Sequence, residues 1–205
     1  MEKKMNNLNI EQLTKKNLEN TAKVLSDSFL REPMVRALEI TPAEMLPVAL
    51  QACELAIEDE LSLVMKTKTE IIGCLISYDY AKSRSAAICA SSKFDSLFDL
   101  LAKLNEGYRS IGDPVLYQFM LGVEIRHKNS GIGSKLIQAN IELGRRRGYG
   151  SAKAEATGPI SQRILIESGY IVTNEIIYSS FSFNERLLFS EIDSKCKLMQ
   201  YAIRK

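Results

Sequence analysis

Apolar residues in this 205-residue chain recur at two spacings, one helical and one strand-like. Leu18, Ala22, Leu25 and Phe29 fall on one face of a helix over Asn17 to Phe29. Arg31-Glu32-Pro33 ends it, because the residue before a proline is pushed out of the helical region. Met34 to Leu38 predicts a helical turn. Thr41-Pro42 predicts a new start, threonine as N-cap and proline at the first position, running to about Glu58. Phe94, Leu97, Leu101 and Leu104 mark another stripe, over Phe94 to Tyr108. Strand patterns cover Leu8 to Leu13, then Leu61 to Lys66 and Glu70 to Tyr78 across a short turn. Ser83 to Ser92 fits neither period. Val115 to Val123 is nearly continuous and apolar after the turn at Gly112-Asp113-Pro114, as in a buried strand. Ala152 to Ala156 predicts a short strand. Gly158-Pro159 opens a helix that Gly169 closes. Ile171 to Phe183 predicts a long strand and Cys196 to Ile203 a final one. With no repeat, linker or low-complexity tract, the expectation is one domain over 1–205, a mixed sheet covered by helices.

The junction after Val123 carries the chemistry. Val123 leads through Glu124-Ile125-Arg126-His127 into Lys128-Asn129-Ser130-Gly131-Ile132-Gly133-Ser134. From there Ile132, Leu136, Ala139 and Leu143, with Ile137 and Ile141 beside them, keep helical period up to Arg145-Arg146-Arg147 and Gly148. Basic residues suit the negative end of a helix, and glycine suits its cap. A strand running through a glycine turn into a helix N-terminus is an anion site, since the first amides lack intrahelical partners and the dipole adds positive charge. Gly131 and Gly133, lacking Cβ, would let phosphate oxygens reach the main chain. Two phosphate motifs are excluded. No Gly-Lys-Ser/Thr follows a four-residue gap, and Leu136 stands where a dinucleotide motif needs its third glycine.

The stretch resembles the GNAT superfamily of acyl-CoA-dependent N-acetyltransferases, whose motif is Arg/Gln-x-x-Gly-x-Gly/Ala between a fourth strand and a long helix. Lys128 replaces the usual Arg or Gln, and Ile125 a common proline. Ser161 to Tyr170 is similar to the second family motif, a short helix ending in Gly-Phe/Tyr; the likeness spans Leu116 to Phe183. The resemblance implies an α/β (α+β) fold: a mixed, mostly antiparallel central sheet, a splayed parallel pair formed by the fourth and fifth strands, and helices on both faces. It implies acetyl-CoA as donor, its pantetheine arm on the main chain of Leu121, Gly122 and Val123 and its diphosphate on the amides from Lys128 through Asn129, Ser130, Gly131, Ile132 and Gly133 to Ser134. Gly122 within a strand also marks a bulge, a close backbone approach or a packing gap.

The resemblance extends to catalysis. Many members place a tyrosine where this chain has Leu165, so the common general acid is missing. Thr157 and Ser161 resemble the two hydroxyls of insect-type arylalkylamine N-acetyltransferases, and Arg31-Glu32-Pro33-Met34 resembles that subgroup's acidic-Pro element. Glu32 is therefore the candidate base, acting through water, with Thr157 and Ser161 aiding departure of the thiolate. The blander readings stand beside these: a solvated acid at a helix break, a helix cap at Thr157, a solvent-facing Ser161. Tyr78-Asp79-Tyr80 is a candidate acceptor-pocket wall or a surface turn. His127 reads as a loop residue, and Glu58-Asp59-Glu60 as a solvated helix end.

Composition narrows the rest. Lys+Arg 27 against Asp+Glu 25 gives +2, which speaks against a bulk nucleic-acid binder. Cys53, Cys74, Cys89 and Cys196 lack metal-ligand spacing and His127 is the one histidine, so no metal is expected. Thiols in apolar runs read as buried cysteines of a reducing cytosol. No apolar segment follows Met1-Glu2-Lys3-Lys4-Met5, so no signal peptide is expected, and no run approaches the ~20 residues of a membrane span. The expected activity is cytoplasmic acetyl transfer from acetyl-CoA to a small primary amine, by direct attack in a ternary complex. A protein lysine or N-terminal acetyltransferase and a non-catalytic acyl-CoA-binding module remain alternatives, and oligomeric state stays open, a homodimer included.

Overall fold

A seven-stranded sheet carries the molecule, in the order β1-β2-β3-β4-β5-β7-β6. The computed structural model describes residues 8–82 and 87–204. The strands are β1 (Asn9–Gln12), β2 (Leu63–Lys66), β3 (Ile71–Asp79), β4 (Val115–Val123), β5 (Ser151–Ala156), β6 (Ile171–Ile177) and β7 (Lys195–Ala202). The helices are α1 (Leu18–Phe29), α2 (Pro33–Ala37), α3 (Pro42–Ile57), α4 (Asp95–Leu104), α5 (Ile132–Arg147) and α6 (Pro159–Glu167). Every pairing is antiparallel except β4 with β5, which is parallel. α1 and α3 pack on one face of the sheet and α5 on the other. The expected fold class is therefore the observed one.

The periodicities explain the elements. Ala22 and Leu25 of α1 are fully buried against β3 and β4. Thr41 caps α3 in a capping box: its side chain accepts from the Glu44 backbone, and the Glu44 carboxylate accepts in return from the Thr41 amide (2.9 Å) and hydroxyl (2.8 Å). β5 alternates in a way that matters below. Ala152, Ala154 and Ala156 are buried on the α5 side, and Lys153 and Glu155 point to the opposite face.

Two expectations change. The strand predicted to reach Phe183 stops at Ile177, where a tight turn over Tyr178–Ser180 buries Tyr178 against Phe189. Asp59 is not solvated: its side chain is buried, pairs with Lys82 Nζ at 2.6 Å and accepts the Asp79 amide at 3.0 Å. Of Ser83 to Ser92, residues 83–86 lie outside the described residues, as does the Met1 to Met5 segment. Cys53, Cys74 and Cys196 are buried and Cys89 is exposed. Among the described residues no helix is long and apolar enough to cross a membrane.

Candidate active site

β4 and β5 stay paired for only three registers, Val115↔Ser151 to Tyr117↔Lys153. β4 then runs on to Val123 and β5 to Ala156, so the strands part and leave a gap between them. A buried polar cluster sits at the apex. Gln118, the first β4 residue past the pairing, donates to Asn140 of α5 (3.0 Å) and accepts from the Tyr170 hydroxyl (2.7 Å). Asn140 also donates to the Leu61 carbonyl (2.7 Å) and accepts from Ser77 (3.2 Å). With these groups satisfied, the cluster fixes β4 against α5 on one side and the end of α6 on the other.

The main chain of β4 at the gap differs from expectation. The Glu124 amide donates to Ile72 of β3, so by strand alternation Gly122 also faces β3 while Leu121 and Val123 face the open edge. Val123 is already engaged: its amide meets Ser28 Oγ (3.4 Å) and its carbonyl accepts from Arg31 (3.1 Å). Leu121 alone of the three lines the gap. Gly122 is glycine because α1 crosses it, a Cβ there lying 3.1 Å from Leu25 Cα.

Beyond β4 the chain makes the turn that sequence reading singled out. Asn129 and Gly131 both take left-handed backbone conformations, and Gly131 precedes α5 as its cap. Among the described residues the amides of Asn129, Ser130, Gly131, Ile132, Gly133 and Ser134 meet no acceptor. The Lys128 amide, expected to join them, is spent on the Ile125 carbonyl (3.2 Å). The Lys128 side chain is exposed and makes no ion pair among the described residues. The two glycines serve different ends. A Cβ on Gly131 would meet open space, so glycine is needed there for its positive φ. A Cβ on Gly133 would lie 3.1 Å from Ile164 of α6, so the missing Cβ there lets the two helices pack closely. Ile132 anchors the turn inward against Gly73.

Glu32, Thr157, Ser161 and Leu121 line one small cavity in the gap, with Gln118, Glu155 and Leu165. Glu32 is the residue before α2, held extended by Pro33. Its carboxylate accepts weakly from Thr157 Oγ1 (3.5 Å) and lies on the Gly158 Cα, at the positive end of α6. Burial pushes the Glu32 pKa up, while the Thr157 hydroxyl and Arg31 pull it partly back. Thr157 is not the cap of α6; Gly158 is. The Tyr178 hydroxyl donates to the Thr157 carbonyl (2.6 Å) and fixes this turn. Ser161 neither touches Glu32 nor merely faces solvent: its hydroxyl donates to the Gly158 carbonyl (2.9 Å) and receives the Gly158 amide (3.4 Å). Leu165 is buried and supplies no proton.

A second cavity, about 500 Å³, adjoins this one through Phe29, Phe119 and Glu155. It is apolar and aromatic, with Met120 and Leu101 on its wall. Of the Tyr78-Asp79-Tyr80 candidates only Tyr80 lines it; Tyr78 is buried behind. Lys153 and Glu155, also on its wall, were missed in the sequence. Opposite charges two apart in a strand share a face, and that spacing was the available signal.

No protein-family model and no curated protein matches this sequence. Solved structures do. Arylalkylamine N-acetyltransferase 2 from Aedes aegypti superposes with TM-score 0.82 at 24% identity, over 97% of this chain and 100% of that one. The C-terminal condensation domain of Ebony, in complex with beta-alanyl-dopamine, gives 0.84 at 13% identity, over 95% and 98%. An agmatine N-acetyltransferase in apo form gives 0.77 at 15%, over 96% and 99%. The fold of this chain is that of the GNAT acetyltransferases.

Proposed function

We propose that the protein transfers the acetyl group of acetyl-CoA directly to the primary amine of a small molecule, in a cytosolic ternary complex. One observation carries the reading: the gap where β4 and β5 part places the half-buried Glu32 carboxylate with Thr157 and Ser161 on one wall. The GNAT fold, and neighbours named for arylalkylamine and agmatine acetylation, support a small amine as acceptor.

Acetyl-CoA is a substrate here, not a resident group. The unpartnered amides from Asn129 to Ser134 and the free ammonium of Lys128 suit its diphosphate. Of Leu121, Gly122 and Val123, Leu121 offers a main-chain edge open to its pantetheine amides. Glu32 takes a proton from the incoming ammonium, through water, so that the neutral amine attacks the thioester carbonyl carbon. Attack leaves a second proton on the nitrogen of the tetrahedral intermediate. As the carbon–sulfur bond breaks, that proton passes through the Ser161 hydroxyl to the departing thiolate, which leaves as coenzyme A thiol and restores the serine. A base needs a pKa near the working pH, and burial moves Glu32 in that direction.

The test is coenzyme A thiol release from acetyl-CoA against arylalkylamines, polyamines, aminoglycosides and lysine peptides. Stimulation by a small amine supports the reading, and stimulation by peptides alone moves it to a protein acetyltransferase. Acetyl-CoA binding without turnover on any acceptor overturns catalysis in favour of a binding module.

A further inference from the structure

Lys153 fills, from within the chain, a site built like one for a free ammonium ion. Its Nζ lies 3.9 Å from the ring centre of Tyr80, 4.6 Å from Tyr108 and 4.8 Å from Tyr117. Glu155 Oε1 stands 3.1 Å from the same nitrogen, and both side chains are almost wholly buried, at 2% and 4% exposure. Aromatic faces with one carboxylate are the chemistry that recognises organic cations. This cage sits on the wall of the large apolar cavity, and Glu155 also lines the small cavity holding Glu32 and Ser161. An amine whose reacting nitrogen entered the small cavity would lay its far end toward Lys153.

Two unmet polar atoms stand beside the cage. Asn105 donates its Nδ2 to Glu155 (2.9 Å) and to the Leu101 carbonyl (2.7 Å), which fixes the orientation of its amide. Its Oδ1 and the Tyr108 hydroxyl are buried with no hydrogen-bond partner among the described residues. A ligand group that donates and accepts hydrogen bonds without charge would satisfy both.

We propose that Lys153 sets acceptor specificity: by occupying the tyrosine–carboxylate cage it closes the pocket to a second ammonium and leaves it open to an amine with a neutral, hydrogen-bonding far end. The inference rests on the acetyl-transfer reading above. Replacing the lysine with an apolar residue leaves Glu155 and the three rings facing an empty cationic position. A diamine supplies the missing charge there.

The experiment compares α,ω-amino alcohols with α,ω-diamines of matched length, for the parent protein and Lys153→Met. For the parent, kcat/KM should favour the amino alcohol by roughly tenfold or more, about the discrimination of one close cation contact. Lys153→Met should lose or reverse that preference. In a thermal melt without acetyl-CoA, the diamine should raise the Tm of Lys153→Met more than that of the parent. Equal shifts in the two proteins, or a parent that acetylates the matched diamine as readily as the amino alcohol, would overturn the proposal. If the parent acetylates no amine, the acetyl-transfer reading fails and the melts still decide whether the cage takes a diamine. If Lys153→Met does not fold, the parent's preference decides alone.

Discussion

Adding one methyl group at Gly158 should separate folding from catalysis. The backbone there is φ −119°, ψ 157°, ordinary extended geometry that alanine adopts without strain. Alanine gains about 0.4–1 kcal/mol by restricting the unfolded chain, and as the N-cap of α6 it loses a comparable amount, since glycine caps better than alanine. The new Cβ, however, would lie 2.4 Å from Glu32 Oε2 and 3.2 Å from its Cδ. Ordinary contact begins near 3.4 Å. The carboxylate must therefore move by about 1 Å, and as the end of a flexible side chain it can do so cheaply. A displacement of that size at a reacting group costs about a hundredfold in rate. Gly158→Ala should thus melt near the parent temperature, bind acetyl-CoA as before, and lose about two orders of magnitude in kcat on the best amine. Calorimetric titration and thiol release check the two halves. Full turnover in a protein that folds normally would refute the placement of Glu32 as the base.

Other expectations follow from the same geometry. The Glu32 pKa is raised by burial above its ordinary 4.5, so folding favours the protonated form, and its stabilising share is lost as pH rises from the ordinary value through the raised one. Glu32→Gln should therefore melt higher than the parent at pH 7, lose that margin at pH 4, and turn over far more slowly; equal melts at both pH values would refute the burial argument. Gly131→Glu should abolish acetyl-CoA binding in a titration, by setting a carboxylate before the free amides, whereas Gly131→Asn, tolerant of the left-handed conformation, should retain it. Asn140→Leu strands the Leu61 carbonyl, Ser77 and one Gln118 donor, and should cost about 3 kcal/mol in urea unfolding, several orphaned groups' worth.

Local pattern carried most of the architecture. β4 ends where the apolar run ends, and α5 lies between the left-handed Gly131 and Gly148, because caps and periodicity are short-range signals. Pattern failed where two distant segments meet. Gly122 and Gly133 read as places where a ligand needs room, yet the space a Cβ would take at each is filled by α1 and α6 crossing the strand and the helix. Lys153, Glu155 and Asp59 carry charge, which in a sequence argues for solvent. Each is buried against a counter-charge that only the folded chain supplies. The candidate site was legible as a set, since Glu32, Thr157 and Ser161 do line one cavity. The hydrogen bonds that hold Ser161 to Gly158 were not, because they depend on the rotamer at the first turn of α6.

The sheet order sets the sequence of events during synthesis. β7 lies between β5 and β6, although it leaves the ribosome after both. Until Lys195–Ala202 emerges, β5 is paired on its β4 side alone and β6 on neither side, and exposed edges of this kind invite pairing with other chains. A chain cut before Lys195 would keep β1 to β5 with both of these edges bare, so that truncation should lower soluble yield sharply, whereas supplying Lys195–Ala202 restores the cover on both.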